Sequence, residues 1–162
     1  MRCRPARDRL FALLTVILIL LADILTKRWA LDHLLSADGA VGGISGIFHF
    51  RFAWNTGVAF SFLSKWPFLV VILTLLVLTA VVLFLFCPKR ERLADRIMLA
   101  FIFAGGLSNL IDRVIYGAVI DFIEFSFISF PVFNVADICV VMGTLLFCVR
   151  MLFLDRKKGG IQ

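Results

Sequence analysis

The sequence predicts an all-α polytopic membrane protein, one domain over residues 1–162 built from four transmembrane helices with a small extracytoplasmic sheet. Three observations predict it. Hydrophobic residues are 62% of the chain and charged residues only 17%, with a mean hydropathy of +1.02, far outside soluble composition. Four apolar segments, approximately 10–31, 66–86, 97–115 and 132–150, each approach the roughly 20 residues a span requires, and their short connections leave no room for a second domain. The basic residues gather at three places: Arg2, Arg4, Arg7 and Arg9 before the first span; Lys89, Arg90, Arg92 and Arg96 between the second and third; Arg150, Arg156, Lys157 and Lys158 after the fourth. By the positive-inside rule all three are cytoplasmic, as are both termini. That distribution, rather than a patch set in polar surface, accounts for the net charge of +6 and argues against a nucleic-acid partner.

Segment 10–22 is long enough for the apolar region of a signal peptide. No small-residue cleavage site follows, however, and the run continues to Leu31, so it is read as a span. Asp23 and Lys27 stand four apart on one face of it, in the order that favours an ion pair. Residues 32–65 form the longest polar connection, which the topology places outside. Gly39, Gly42, Gly43 and Gly46 mark turns there. Residues 47–54 then alternate, with Phe48, Phe50, Phe52 and Trp54 on one face and His49, Arg51 and Ala53 on the other, a strand with an aromatic side suited to headgroup level. Asn55 precedes Thr56 and Gly57; a side-chain amide aimed at a peptide backbone and a simple turn or cap both fit.

The second span is uncharged, with Trp66 and Pro67 at its outer edge, and Pro88 breaks the cytoplasmic turn beyond it. In the third, Gly105 and Gly106, with Ser108 nearby, allow close approach of another helix. At its outer end Asn109, Asp112 and Arg113 share a face, where Asp112 and Arg113 are open to a purely structural ion pair. After Gly117 the chain runs extended, with Val119, Asp121, Ile123 and Phe125 on one side and Ile120, Phe122 and Glu124 on the other. Pro131 is expected to start the fourth helix, whose first two turns carry Asn134 and Asp137, three apart.

Cys3, Cys87, Cys139 and Cys148 have no metal-ligand spacing and read as small apolar fillers; His33 and His49 have no partner pattern, so neither a metal nor a cofactor is expected. Glu124 and His49 read as wet surface. What stands out is Asp112, Asp121 and Asp137 at one depth with Asn55, Asn109 and Asn134, amid apolar side chains, because charges at such depth are rare, paired and usually functional. Two carboxylates close together in low dielectric share a proton and titrate as a pair. One then deprotonates a water while the other protonates a carbonyl oxygen or leaving amine, hydrolysing a peptide bond with neither metal nor covalent intermediate. A proton-coupled transporter also uses intramembrane carboxylates, but the inner halves of these spans offer no relay. A scaffold explains the basic ends and leaves the polar outer residues without a purpose.

These residues carry a resemblance. The stretch from Asp23 to Lys27, the run Asn55-Thr56-Gly57-Val58-Ala59-Phe60, the stretch from Asn109, Asp112 and Arg113 through Gly117, Val119 and Asp121-Phe122, and Phe133-Asn134-Val135-Ala136-Asp137 resemble, in order and spacing, the motifs of the bacterial lipoprotein signal peptidases (signal peptidase II). The resemblance implies an aspartic intramembrane endopeptidase with four helices and an extracytoplasmic β-cradle. It would remove the signal peptide from diacylglyceryl-modified prolipoproteins just before the lipidated cysteine, at the outer face of the cytoplasmic (inner) membrane. It further implies that Asp121 and Asp137 are the catalytic pair, that Asn55, Asn109, Arg113 and Asn134 bind substrate or hold the pair, and that Asp23, Lys27 and Asp112 support it. Lipid-modified prolipoproteins and membrane lipids are the expected partners, and the expected state is a monomer. Ser108 and Ala104 stand where that family commonly has glycine, and the loop from Asp121 to Asp137 is short.

Overall fold

The structure is a computed structural model that describes residues 5–37, 39–57, 65–86 and 93–154. Several residues singled out above lie outside these: Arg2, Cys3 and Arg4; Val58, Ala59 and Phe60; Cys87, Pro88, Lys89, Arg90 and Arg92; Arg156, Lys157 and Lys158.

The described chain runs α1 (Pro5–His33), β1 (Val41–Ile44), β2 (Phe48–Asn55), α2 (Pro67–Phe86), α3 (Leu93–Tyr116), β3 (Val119–Phe125) and α4 (Val135–Val149), the last continued by a π-helical turn, Arg150–Leu154. Each of the four predicted spans falls on a helix long and apolar enough to cross a membrane. At 1.5 Å per residue the 20 residues of α2 cover about 30 Å, one hydrocarbon thickness. Helix is the form such segments must take, because lipid offers no partner to a free peptide group. The same constraint governs side chains. Thr15, Thr26 and Thr74 turn their hydroxyls back onto the carbonyls of Phe11, Ala22 and Val70, each at 2.8 Å.

Apolar residues such as Leu18, Leu25, Leu76 and Leu145 face outward while polar ones are buried: Asp23 and Asn134 have no exposed surface at all. α3 is the hub, packing against α1, α2 and α4. Glycines bring α3 and α4 together at two levels, Gly105 against the backbone of Ala136 and Gly143 against that of Met98. Gly106, its neighbour, meets only the side chain of Leu78 on α2. At the end of the bundle away from the sheet Arg150 pairs with Asp95, tying the π-helical turn to the start of α3.

α1 is longer than expected at both ends. Its last turns continue past Lys27 to meet the sheet, where Trp29 lies against Phe50 and Phe122, and Ala30 and Leu34 form a buried cluster with Ile120 and Phe122. The sheet is antiparallel in the order β1-β2-β3. Two expectations need correction. Gly42 and Gly43, read as turn residues, lie in β1; Gly43 has φ +89°, and a Cβ there would stand 2.2 Å from the Phe48 carbonyl oxygen, so glycine is what lets the strands close. Pro131 does not start the fourth helix. Phe133 exchanges backbone hydrogen bonds with Ile123 (2.9 and 2.8 Å), which keeps the chain extended until Asn134 caps α4.

Candidate active site

Local rules place most of the polar side chains. Asn134 has extended backbone at the N-cap of α4, and Asp137 is the third residue inside, so the two form a reciprocal capping box. Asn134 Oδ1 accepts from the Asp137 backbone amide at 2.8 Å, and Asp137 Oδ2 accepts from the Asn134 backbone amide at 3.2 Å. Helical spacing on α3 turns Ser108, Asn109 and Asp112 inward. Gly117, at φ +73°, ends α3 and sends the chain into β3, where Asp121 is buried.

Asn55 arrives by a device that alternation does not reveal. β2 opposes Ile123 with Phe50 and Asp121 with Ala53, so β2 carries one extra residue between those pairs. Unbroken pairing would set Trp54, not Asn55, on the face of Asp121. The bulge reverses that, and Asn55 Nδ2 donates to Asp121 Oδ2 at 2.9 Å while its carbonyl oxygen accepts from the Gly57 amide.

Asp121 and Asp137 are joined through shared amides. Asn134 Nδ2 donates to Asp121 Oδ1 at 2.7 Å and Asn109 Nδ2 to Asp137 Oδ1 at 2.8 Å, so each of the four carboxylate oxygens accepts a hydrogen bond. Asn134 Nδ2 also reaches Asn109 Oδ1 and the Ile120 carbonyl. Burial pushes the Asp121 carboxyl up to about 7, and the neighbouring Asp137 adds to the rise; the hydrogen bonds from Asn55 and Asn134 and the charge of Lys27 act against it. A carboxyl so placed exchanges protons near neutral pH.

Asp112 is occupied differently. Its Oδ2 accepts from Lys27 Nζ at 2.8 Å and from the Ile120 amide at 3.3 Å. Lys27 also pairs with Asp23 (2.7 Å), the i,i+4 partner expected, and donates to Asn109 Oδ1 (2.9 Å). Asp23 in turn accepts from the backbone amide of Ala136 on α4 at 2.8 Å and from Ser108 Oγ at 2.6 Å. Arg113 donates to the Gly57 and Asn109 carbonyls at 2.7 and 3.2 Å, so it fastens the end of β2 to α3 and makes no ion pair with Asp112. Asp23, Lys27, Asn55, Asn109, Asp112, Arg113, Asp121, Asn134 and Asp137 therefore belong to one network. Ser108 and the Ala136 amide are added to it, the former visible only as a position on the buried face of α3.

A cavity of about 650 Å³ opens between the sheet-side halves of α2, α3 and α4. Its wall is mostly apolar, from Val70, Leu73, Val77 and Leu78 on α2 to Val140 and Val141 on α4, and Asn55, Asn109, Arg113 and Asp137 reach it. Phe84 on α2 and Phe147 on α4 touch edge to face toward the end away from the sheet, with ring centroids 5.7 Å apart. Glu124, read as surface, joins a half-exposed cluster on the sheet, accepting from Arg51 Nη2 and meeting His49 Nε2, both at 2.6 Å. Among the described residues, no group of three or more His, Cys, Asp or Glu side chains is placed to hold a metal ion.

Known proteins resemble this chain in sequence and in fold. The family model for signal peptidase (SPase) II matches residues 15–153. A lipoprotein signal peptidase of Clostridium acetobutylicum is 36% identical over 151 residues, spanning 91% of this chain and 97% of that protein. One from Nostoc punctiforme is 38% identical over 149 residues, 88% of this chain and 89% of its own. A solved bacterial membrane enzyme superposes with a TM-score of 0.82 at 26% identity, covering 94% of this chain and 92% of its own. The match runs through every element that builds the network: the chain belongs to the signal peptidase II family and is a multi-pass membrane protease.

Proposed function

We propose that the chain is an aspartic endopeptidase that removes the signal peptide from diacylglyceryl-modified prolipoproteins, cutting just before the lipidated cysteine. The observation that carries this reading is the Asp121–Asp137 pair, bridged by Asn134 and set at the polar end of an apolar cavity. Similarity to lipoprotein signal peptidases supplies the substrate class. The apolar wall suits both an apolar signal segment and acyl chains, and the amide-lined end suits the peptide bond between them.

In this reading the pair holds one proton. The ionised carboxylate takes a proton from a water, whose oxygen adds to the scissile carbonyl carbon. The protonated partner supplies its proton to the developing oxyanion. Collapse of the tetrahedral intermediate breaks the C–N bond as a proton passes to the leaving amine, and the pair regains a single proton. Amide N–H groups of Asn55 and Asn109 hold the carboxylates in place and, once substrate displaces them, are positioned to donate to its carbonyl oxygens. Asp112 is a supporting residue, because Lys27 and the Ile120 amide occupy it. In this reading both termini lie in the cytoplasm and the pair works near the outer face of the cytoplasmic membrane, an orientation the basic ends support.

A transport reading needs titratable groups through the span. Between Asp137 and Arg150 on α4, and between Arg96 and Asp112 on α3, no Asp, Glu, Lys, Arg or His occurs, and α2 has none. The test is cleavage by purified protein in detergent of a diacylglyceryl-modified prolipoprotein beside its unlipidated form. Cleavage of the lipidated form alone, with the new N-terminus at the modified cysteine, is expected. Equal cleavage of both forms, or of neither, contradicts the proposal.

A further inference from the structure

Lys27 is buried and spends its ammonium on three acceptors: Asp23 Oδ2, Asp112 Oδ2 and Asn109 Oδ1, at 2.7, 2.8 and 2.9 Å. An ammonium has three N–H donors and no acceptor. Asn109 must therefore turn its carbonyl oxygen toward Lys27, and its planar amide then presents Nδ2 to Asp137 Oδ1. The same oxygen takes a hydrogen bond from Asn134 Nδ2, which fixes that amide too, with its remaining N–H on Asp121 Oδ1. Were Asn109 reversed, an N–H would face the ammonium and an oxygen the Asp137 carboxylate, both repulsive. One donor-only group thus sets the polarity of the amides that hold both carboxylates.

We propose that Lys27 is a positioning residue for the Asp121–Asp137 pair, orienting the Asn109 and Asn134 amides and setting the pH range over which the pair holds a single proton. The proposal rests on the peptidase reading above. The charged groups around the pair are Asp23 on the same helix as Lys27, Asp112 and Arg113 on α3, Asp121 on β3 and Asp137 on α4. Arg113 is committed to backbone carbonyls of Gly57 and Asn109; Lys27 is the cation joined to Asp137 through a single amide. Its positive charge favours the ionised form of Asp121, and in a buried site that influence is weakly screened. Without it the Asp121 carboxyl keeps its proton to higher pH.

The experiment is the pH profile of kcat/KM on the lipidated substrate for wild type, Lys27→Met, Lys27→Arg and Asp112→Asn, each checked for folding by thermal unfolding in detergent. Both limbs for Lys27→Met are expected to move alkaline by about one to two pH units, the order expected for losing a unit charge separated from the pair by one hydrogen-bonded amide, at an effective dielectric of about 20. Lys27→Arg keeps the charge, so its limbs stay at the wild-type positions even where its rate falls. Asp112→Asn removes a negative charge and moves the limbs acid. A Lys27→Met profile that drops in height with its limbs unmoved overturns the proposal. If that variant is unfolded, or inactive at every pH, Asp112→Asn decides: an acid shift supports the proposal, and an unmoved or alkaline profile overturns it. A wild type that leaves the lipidated substrate uncut would instead defeat the peptidase reading.

Discussion

Gly105→Ala isolates how closely the α3–α4 packing governs the site. A Cβ at Gly105 would stand 2.4 Å from the Ala136 carbonyl oxygen and 2.8 Å from Val140 Cγ2, whereas ordinary contact begins at 3.4 Å. Ala136 is next to Asp137, and Gly105 is one turn below Asn109, so the helices must part by about 1 Å close to the Asn109–Asp137 hydrogen bond. Misplacing reacting groups by that distance costs about 10²-fold in rate, or about 2.7 kcal/mol of barrier. Overpacking also costs about 1–3 kcal/mol of stability, less the 0.5–1 kcal/mol or so that alanine gains over glycine inside a helix. Gly106→Ala is the control, because its Cβ meets only the end of the Leu78 side chain, at 3.1 Å, which can move. The assay is kcat/KM on a lipidated prolipoprotein with thermal unfolding in detergent for both variants. Gly105→Ala is expected to lose about 10²-fold in activity and unfold earlier, and Gly106→Ala to stay within a few-fold of wild type. Equal behaviour of the two variants would refute the claim that this contact sets the geometry.

The Asp121 carboxyl rises on folding from 3.8 to about 7, so the folded state binds more protons than the unfolded state between those values. The associated stability is present at acid pH and lost as pH climbs toward 7 and beyond, by a few kcal/mol. Asp121→Asn removes that loss: melting curves from pH 4 to 8 should show the variant more stable than wild type at pH 8 and less sensitive to pH, and a parallel decline in both would contradict this. Asn134→Ala deletes the α4 cap and leaves Asp121 Oδ1 without its amide donor; about 1–3 kcal/mol of stability and most of the activity should go, as read by melting and cleavage. Glu124→Gln, on the half-exposed cluster with His49 and Arg51, should cost no more than about 1 kcal/mol in melting experiments and leave cleavage nearly intact.

Local signals were legible where local physics decides. Hydropathy located four helices long and apolar enough to span, and i,i+4 spacing predicted the Asp23–Lys27 pair. Alternation identified β2 and β3, but no pattern in residues 48–55 announces the extra residue that carries Asn55 to Asp121. β1 was hidden because Gly42 and Gly43 look like turn residues, and the role of Gly43 depends on the approach of the Phe48 backbone. Pro131 misled for a similar reason: pairing of Phe133 with Ile123, a contact distant in sequence, delays the helix by several residues. Spacing alone could not rank Asp112 against Asp121 either. The two are told apart by Lys27, which arrives from α1 and neutralises Asp112, while Asp121 meets the amides of Asn55 and Asn134.

The central claim is that Asp121 and Asp137 together perform the cleavage. Its most direct test measures single-turnover cleavage of a diacylglyceryl-modified prolipoprotein by Asp121→Asn, Asp137→Asn and Asp112→Asn, each shown to be folded. Loss of cleavage in both of the first two, with measurable cleavage retained by Asp112→Asn, is the predicted result. Cleavage that survives in a folded Asp121→Asn or Asp137→Asn variant contradicts the account.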